Sequence, residues 1–271
     1  MADLEFRRDL YQQIARDYDS FRLAYPRALT DDLARRCGAD GSGRLLDLAC
    51  GTGQLTFALH DRFAQVWAVD QEPDMIAVVR DKAGAAGIRN IRVQVSAAED
   101  LVAPGQRFDL VAIGSAFHRL PRDTVAVRIA AWLRPGGFLG LVWADGPTAG
   151  DAPWQQALSA ATRRWQARAG TEDRVPPGYD QDRAARPDRV VLEARGFEFA
   201  GRRQWRLSHE WTPESLIGYL FATSVLSRAA LGDLATEFDA DIRRELHACD
   251  PSGRYGQSLS FACELFRAAG R

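Results

Sequence analysis

The stretch Leu45–Thr56 reads LLDLACGTGQLT and decides the fold of this chain. An apolar run typical of a buried strand ends in Asp47-Leu48-Ala49-Cys50, and Gly51 and Gly53 then lead into residues that can start a helix. A strand that enters a glycine turn and a helix places backbone N–H groups at the carboxyl edge of an α/β sheet, where ligands bind. The stretch therefore predicts a ligand site that presents bare backbone N–H groups.

The dinucleotide fingerprint G-x-G-x-x-G is the nearest alternative, but its third glycine is Thr56 in this chain. The carboxylate of Asp47 would lie close to a pyrophosphate and repel it. A ligand with a positive charge and no phosphate fits better, and the amino acid end of S-adenosylmethionine is such a ligand. The pattern therefore disfavours an NAD-dependent oxidoreductase.

Further motifs follow in the order of a repeated strand and helix. Residues 63–70 read FAQVWAVD, a buried strand that ends in Asp70, where an acidic side chain can accept hydrogen bonds from both hydroxyls of a ribose. Residues 91–101 give an alternating strand and then AAEDL, and residues 108–120 read FDLVAIGSAFHRL. The turn LRPGG over 133–137 precedes another apolar strand. Five such units in sequence predict a doubly wound, parallel α/β sheet.

These motifs resemble the class I S-adenosylmethionine-dependent methyltransferases, whose first motif has the form D-x-A/G-C/x-G-T-G. The resemblance covers residues 10–144 and implies a Rossmann-like, seven-stranded, mostly parallel sheet with S-adenosylmethionine as the cofactor. The lead-in from Tyr18 to Pro26 and the A-F-H loop resemble the small-molecule group, of the natural-product and antibiotic-biosynthesis type.

The resemblance also implies a set of cofactor-binding residues. Tyr18 or Arg22 would lie near the cofactor carboxylate, Gln71 and Met75 would flank the adenine, and Ser115 lies in the loop that borders the methyl group. The full set comprises Tyr18, Arg22, Asp47, Ala49, Gly51, Gly53, Asp70, Gln71, Met75, Ala98, Glu99 and Ser115.

His118 is the candidate catalytic residue. At the carboxyl end of the fourth strand, its imidazole could take a proton from a hydroxyl or an ammonium as that group is methylated. A packed or solvated histidine is the alternative. Because S-adenosylmethionine is already activated, in-line placement supplies the larger part of catalysis, and loss of His118 would remove only part of the rate.

The chain reads as one domain over 1–271, with an N-terminal lid helix within 1–26. Two departures from the α/β repeat, at 145–186 and 212–250, predict a helical cap over the carboxyl edge, and the polar part over 170–186 predicts a lid or mobile loop. Apolar residues at every second position over 259–265 predict a last, antiparallel strand.

The acceptor pocket predicted from this outline combines aromatic, carboxylate and hydroxyl groups. It suits a polar, cationic organic molecule methylated on N or O, such as an amino sugar or an aminoglycoside. C-methylation of a quinone or polyketide is the alternative, as is a module that binds S-adenosylmethionine without turnover. The predicted walls are Trp143, Asp145, Trp154, Tyr219 and Ser224.

Composition limits the partners. The net charge of −1 provides no basic field for nucleic acid, and the fourth motif lacks the N/D-P-P-Y/F signature of base methylation. No apolar run approaches the roughly 20 residues that span a bilayer, and the four cysteines lack zinc spacing. The sequence therefore predicts a cytoplasmic enzyme with a small-molecule acceptor and no metal, nucleic acid or membrane partner. The late helices could serve a homodimer as well as a cap.

Overall fold

A computed structural model describes residues 6–103 and 108–268. Within these ranges, seven strands form one sheet in the order β3-β2-β1-β4-β5-β7-β6. The strands are β1 (Arg44–Leu48), β2 (Gln65–Asp70), β3 (Ile91–Val95), β4 (Phe108–Gly114), β5 (Leu133–Ala144), β6 (Phe197–Trp211) and β7 (Tyr255–Ala268).

The first five strands are parallel, and β7 runs antiparallel to both β5 and β6. The predicted doubly wound, seven-stranded, mostly parallel sheet is therefore confirmed. The last strand is antiparallel as predicted, and it is longer than the predicted 259–265. The strand order reverses between β1 and β4, and the carboxyl ends at such a switch point are where open α/β sheets bind ligands.

Helices cover both faces of the sheet, and consecutive strand residues show how. Leu45 is buried in the apolar core that contains Leu29 and Leu33, whereas Leu46 is buried in the core that contains Val125 and Ile129 on the other face. Because side chains alternate along a strand, an unbroken apolar run such as that of β1 requires cover on both faces. The helices are α1 (Ala15–Phe21), α2 (Arg27–Arg36), α3 (Gln54–Leu59), α4 (Pro73–Ala85), α5 (Arg122–Trp132), α6 (Pro153–Ala169), α7 (Tyr179–Ala185), α8 (Asp188–Glu193), α9 (Pro213–Phe221), α10 (Arg228–Leu231) and α11 (Ala235–Cys249). None of the helices in the described ranges is both long and apolar enough to cross a bilayer.

The N-terminal lid helix predicted within 1–26 is short. Only Ala15–Phe21 is helical, and residues 8–13 form turns. Gln13 has a φ of 62°, which a right-handed helix cannot contain, so the helix begins after it. Residues 1–5 of the predicted lid lie outside the described residues.

The first departure from the α/β repeat, at 145–186, contains α6 and α7. The lid or mobile loop over 170–186 stays a prediction. The helix α7, which lies in that part, is tied to α5 by Arg122, whose buried guanidinium lies 2.5 Å from Asp182. Arg122 also lies 2.8 Å from Asp188 at the start of α8. Loss of one partner of a buried ion pair strongly destabilises the folded protein. These contacts therefore hold the segment to the body of the domain.

Three helices of the predicted cap pack together. Phe238 of α11 lies against Trp165 of α6 and Phe221 of α9, with ring centroids 5.5 and 5.4 Å apart. These residues share one apolar core with Tyr255 of β7. Within the second departure, at 212–250, α9 ends at Phe221 and is followed by the short α10.

Candidate active site

The turn after β1 adopts left-handed backbone conformations at three places. Ala49, Gly51 and Gly53 have φ values of 57°, 56° and 88°. A Cβ atom on Gly51 would lie 3.2 Å from the ring of Tyr18, so this close approach favours glycine there in addition to its positive φ. Ala49 is a non-glycine residue in this region, a form of backbone strain that concentrates at binding sites.

The backbone N–H groups of this turn are largely used within the protein. The N–H of Gly51 donates to Oδ2 of Asp70 at 2.8 Å, that of Gly53 donates to the carbonyl of Cys50 at 2.9 Å, and that of Cys50 donates to the carbonyl of Val69 at 3.0 Å. The prediction of bare N–H groups is therefore wrong for these three. A turn whose N–H groups are already bonded provides a poor cradle for a pyrophosphate.

Asp70 lies at the end of β2 and holds the turn in place. Its Oδ1 accepts from the N–H of Glu72 at 2.9 Å, and its side chain is buried beside the turn. Burial raises the pKa of Asp70, although its backbone hydrogen bonds oppose the shift. Burial and the neighbouring charge of Asp70 raise the pKa of Glu72 to about 7.

A main cavity of about 380 Å³ lies at the carboxyl ends of β1, β2 and β4. The structure brings most of the predicted cofactor-binding residues together in its wall: Tyr18, Ala49, Gly51, Asp70, Gln71, Met75, Ala98, Glu99 and Ser115.

A smaller cavity of about 40 Å³ adjoins the main one and shares Tyr18, Ala49 and Ser115 with it. Arg22 and Asp47 line this smaller cavity. The remaining predicted cofactor residue, Gly53, lines neither cavity. Its role is local, since a Cβ atom there would lie 2.8 Å from the ring of Phe57.

Asp47 is buried and accepts a hydrogen bond from Oγ1 of Thr56 at 2.5 Å. Burial raises the pKa of Asp47 to about 7, so the carboxyl group is about half protonated at neutral pH. The electrostatic repulsion that the sequence predicted from Asp47 is weaker as a result. Thr56, which replaces the third glycine of the dinucleotide fingerprint, has this hydrogen bond as its structural role.

Arg22 extends from the end of α1 to the cap. Its Nη1 donates to the hydroxyl of Tyr219 at 2.9 Å and its Nη2 donates to the carbonyl of Ala222 at 3.0 Å. Its guanidinium also lies over the rings of Tyr18 and Tyr219, 5.0 and 4.6 Å from their centroids. The Nε atom is buried and has no hydrogen-bond partner in the part of the chain that the structure describes.

The N-terminal segment forms one wall of the main cavity, and of its residues in that wall only Tyr18 was predicted from the sequence. Arg8 donates to Glu99 at 3.1 Å, and Gln71 donates to the carbonyl of Arg8 at 3.1 Å. The aromatic residues at the start of the chain were the available signal for this wall. The further lining residues that sequence reasoning missed include Phe6, Leu10, Tyr11, Glu72, Ser96 and Arg119.

The loop after β4 forms the opposite wall. Ser115 has a φ of 53°, and its Oγ lies 3.3 Å from the hydroxyl of Tyr25. His118 lines neither cavity, and its ring centroid lies 6.3 Å from that of Tyr179. Burial and the neighbouring Arg119 lower the pKa of His118 to about 3, so its imidazole is neutral at physiological pH.

The predicted acceptor residues are not brought together. Tyr219 lines the smaller cavity, whereas Trp143, Asp145, Trp154 and Ser224 line neither cavity. Trp154 is buried in the core of the cap, where its ring centroid lies 5.6 Å from that of Tyr255.

The other three lie elsewhere. Trp143 packs on the sheet with the guanidinium of Arg202 over its ring, and Ser224 is buried while its carbonyl accepts from Arg174. Asp145 follows β5 and its backbone N–H donates to the carbonyl of Ser260. The sequence predicted a helical cap but not which faces of its helices are buried.

Residues 45–137 match a family model described as a methyltransferase domain, and this match covers about a third of the chain. An uncharacterized methyltransferase of Mycobacterium tuberculosis is 34% identical over 126 residues, which is 46% of this chain and 48% of that protein. A demethylmenaquinone methyltransferase of Geobacillus kaustophilus is 27% identical over 147 residues, 51% of this chain and 63% of that protein. The chain spans about half the length of the curated relatives it matches.

Solved structures resemble this chain over most of its length. A protein from Anaeromyxobacter dehalogenans, assigned to the type II methyltransferases, has a TM-score of 0.66 and 22% identity, covering 93% of this chain and 100% of its own. The cyclase SpnF has a TM-score of 0.52 and 20% identity, covering 93% and 84%. Likeness at this level of identity concerns the fold, and one fold can carry more than one chemistry.

Proposed function

The chain has the Rossmann-like methyltransferase fold, and on that premise we propose that it is an enzyme that transfers the methyl group of S-adenosylmethionine to a small organic acceptor. The observation that carries the proposal is the main cavity. It lies at the topological switch point of the sheet, and residues from the matched methyltransferase domain form most of its wall.

The residues of the main cavity suit an adenosine cofactor. Asp70 presents a buried carboxylate at the end of β2, where it can accept hydrogen bonds from ribose hydroxyls. Gln71, Met75 and Ala98 line the same cavity, where they can flank an adenine ring. Gly51 leaves room beside Tyr18 that a side chain would fill.

The bonded N–H groups of the glycine turn favour this cofactor over a dinucleotide. A pyrophosphate would have to compete with Asp70 for the N–H of Gly51 and with Cys50 for that of Gly53. S-adenosylmethionine has no phosphate and needs no such exchange. An NAD-dependent oxidoreductase is accordingly disfavoured.

When bound, S-adenosylmethionine supplies a methyl group on a positively charged sulfur, which already activates it for transfer. The protein then has to bind and orient the acceptor and exclude water. His118 is proposed as the proton acceptor, and because its pKa of about 3 makes the neutral imidazole a weak base, it should contribute only a small part of the rate. Since His118 lines neither cavity, a small movement of the loop after β4 or an intervening water would have to connect it to the acceptor.

The acceptor is proposed to be a small polar organic molecule methylated on N or O, in the secondary metabolism of natural products such as antibiotics. An amino sugar or an aminoglycoside is the acceptor predicted from sequence. C-methylation of a quinone or polyketide is the second candidate. It is favoured by the aromatic walls that Phe6, Tyr11 and Tyr18 give the main cavity, and the Geobacillus relative is named for a quinone precursor.

The remaining proposals rest on composition and motifs alone. They are a cytoplasmic location, a small-molecule partner, no metal, nucleic acid or membrane partner, and a homodimer formed through the late helices. A module that binds the cofactor without turnover stays the alternative to an enzyme.

Isothermal titration with S-adenosylhomocysteine tests the proposed function directly. We expect saturable binding by the wild-type protein and no binding of NADH, measured by nicotinamide fluorescence. Methyl transfer from labelled S-adenosylmethionine to panels of amino sugars, phenols and quinols then separates the two acceptor candidates. Folded protein that binds NADH and not S-adenosylhomocysteine would contradict the proposal.

A further inference from the structure

Arg119 presents a half-buried guanidinium at the main cavity, and one nitrogen atom of this group is buried with unused hydrogen-bonding capacity. It lies in the loop after β4 and lines the cavity, and its Nη1 atom is buried without a hydrogen-bond partner among residues 6–103 and 108–268. No carboxylate in those ranges lies within ion-pair distance of it. A buried donor on a charged group that has no acceptor is unfavourable in a folded protein, so an acceptor is expected to arrive with a ligand.

Aromatic rings surround this guanidinium. Its central carbon lies 5.5 Å from the ring centroid of Phe6 and 5.6 Å from that of Tyr11. Phe6 in turn meets Tyr179 edge to face, with centroids 5.6 Å apart. Ring faces stabilise a cation in part, but they do not accept its N–H groups as an oxyanion does. The surroundings suit a ligand that combines a flat ring with a negative charge.

The other arginines of this region have partners. Arg8 donates to Glu99 and Asp100, and two of the nitrogen atoms of Arg22 donate to Tyr219 and Ala222. Arg119 thus differs from its neighbours in having aromatic contacts but no hydrogen-bond acceptor at Nη1.

The position of Arg119 separates it from the expected site of the cofactor carboxylate. S-adenosylmethionine carries one carboxylate, and Arg22, in the smaller cavity beside the glycine turn, is the residue expected near it. Arg119 instead lines the main cavity and not the smaller one. If Arg119 binds a carboxylate other than that of the cofactor, that carboxylate has to belong to the acceptor.

We propose that Arg119 binds a carboxylate on the methyl acceptor, and that the acceptor is an aromatic organic acid. This inference rests on the proposed function and replaces the cationic acceptor that the sequence predicted, because a guanidinium repels an ammonium group. A planar carboxylate matches the two parallel N–H groups of a guanidinium, which gives orientation as well as affinity.

The test uses the wild-type protein saturated with S-adenosylhomocysteine and three probes, measured by isothermal titration. Benzoate is expected to bind saturably at ~1 mM or tighter, and benzamide, of the same shape without the charge, about tenfold or more weakly. Glucosamine, as the cationic probe, is expected not to bind. Binding of glucosamine without benzoate, or equal binding of benzoate and benzamide, would overturn the inference.

Three variants assign the binding to Arg119. Arg119→Met keeps most of the side-chain length and should lose benzoate binding while S-adenosylhomocysteine binds within about threefold of wild type. Arg119→Lys keeps the charge without the paired N–H groups and should bind benzoate with intermediate affinity. Arg92→Met is the matched control, since Arg92 also lies over a ring, that of Trp67, and lines neither cavity.

Three results distinguish the possible failures. If Arg119→Met weakens S-adenosylhomocysteine and benzoate by the same factor, Arg119 belongs to the cofactor site and the inference is wrong. If the folded wild-type protein does not bind S-adenosylhomocysteine at all, the proposed function fails first. Binding of S-adenosylhomocysteine without any binding of benzoate refutes only the inference about the acceptor.

Discussion

The two ends of the main cavity differ in how fully their polar atoms are hydrogen-bonded. At the end formed by β2, both carboxylate oxygens of Asp70 accept backbone N–H groups, and Gln71 donates to the N-terminal segment. Toward the loop after β4 and the smaller cavity, Nη1 of Arg119 and Nε of Arg22 are buried without partners in the described part of the chain.

At the β2 end the polar atoms are already hydrogen-bonded, whereas the nitrogen atoms toward the loop after β4 and the smaller cavity lack, among the described residues, partners that a ligand could supply. Buried polar atoms in native proteins are nearly all paired, so each unpaired atom at a cavity marks a place where a ligand atom is expected. The β2 end should therefore bind the cofactor with little rearrangement. The β4 end should decide which acceptor is methylated.

The largest effect is expected at the β2 end of the main cavity. Asp70→Ala removes the carboxylate that faces the cavity and also releases the N–H groups of Gly51 and Glu72. We expect the affinity for S-adenosylhomocysteine to fall by about 100-fold or more, because two charge-assisted hydrogen bonds to the ribose are lost. Isothermal titration measures this loss.

Asp74→Ala is the matched control, since Asp74 is an exposed acid four residues further along the chain. It should leave the affinity unchanged. Equal losses in the two variants would show that Asp70 acts only through the general charge of the region, and the comparison of the two ends would fail.

The next effect concerns stability and the charge of Asp47 beside the glycine turn. Burial raises the pKa of Asp47 from 3.8 in the unfolded chain to about 7 in the folded one, so the folded state binds more protons between these values. The free energy of unfolding should therefore fall as pH rises, by about 2 kcal/mol between pH 5 and pH 7 from this group.

Asp47→Asn keeps an acceptor for Thr56 and cannot ionise. Urea unfolding of the wild type and of this variant at both pH values isolates the contribution of Asp47, because other titrating groups are common to the two proteins. Parallel pH dependences would show that Asp47 stays charged in the folded state and is better solvated than its burial indicates.

A smaller effect is expected at Arg22, which lines the smaller cavity. Arg22→Met should weaken S-adenosylhomocysteine by about tenfold if the guanidinium meets the cofactor carboxylate. Tyr219→Phe removes only the hydroxyl that accepts from Nη1 of Arg22, so it should weaken binding by less than about threefold. If both variants lower the thermal unfolding midpoint equally and leave affinity unchanged, Arg22 only joins α1 to the cap.

The residues that the sequence predicted at the β2 end line the main cavity, because their placement is local. Asp70, Gln71 and Met75 follow one strand directly, and their placement depends on β2 and the turn beside it. Hydrophobic periodicity and glycine positions determine such elements, and the structure confirms the sheet they predicted.

Most of the residues that the sequence predicted for the acceptor pocket line neither cavity, because their placement depends on which faces of distant elements are covered. Trp154 has the aromatic character expected of a pocket wall, but it packs in the core of the cap with Tyr255, more than one hundred residues away. Arg119 was not predicted from the sequence because only the structure reveals the features that single it out. Its Nη1 atom lacks a hydrogen-bond partner in the described part of the chain, and the rings of Phe6 and Tyr11 pack beside it. Neither fact is encoded in a local pattern.

The smallest effect is expected for His118, and its measurement shows whether the β4 end supplies a base. With a pKa of about 3, His118 is neutral from pH 5 to pH 8 and cannot produce an inflection in the rate over that range. His118→Asn should lower kcat by less than about tenfold, since placement of the acceptor supplies most of the catalysis. The pH profiles of kcat for the two proteins should be parallel. An inflection near pH 6.5 that is present in the wild type and lost in the variant would show instead that His118 titrates as an exposed base at the cavity, and the contrast between the two ends would then have to include a catalytic proton acceptor.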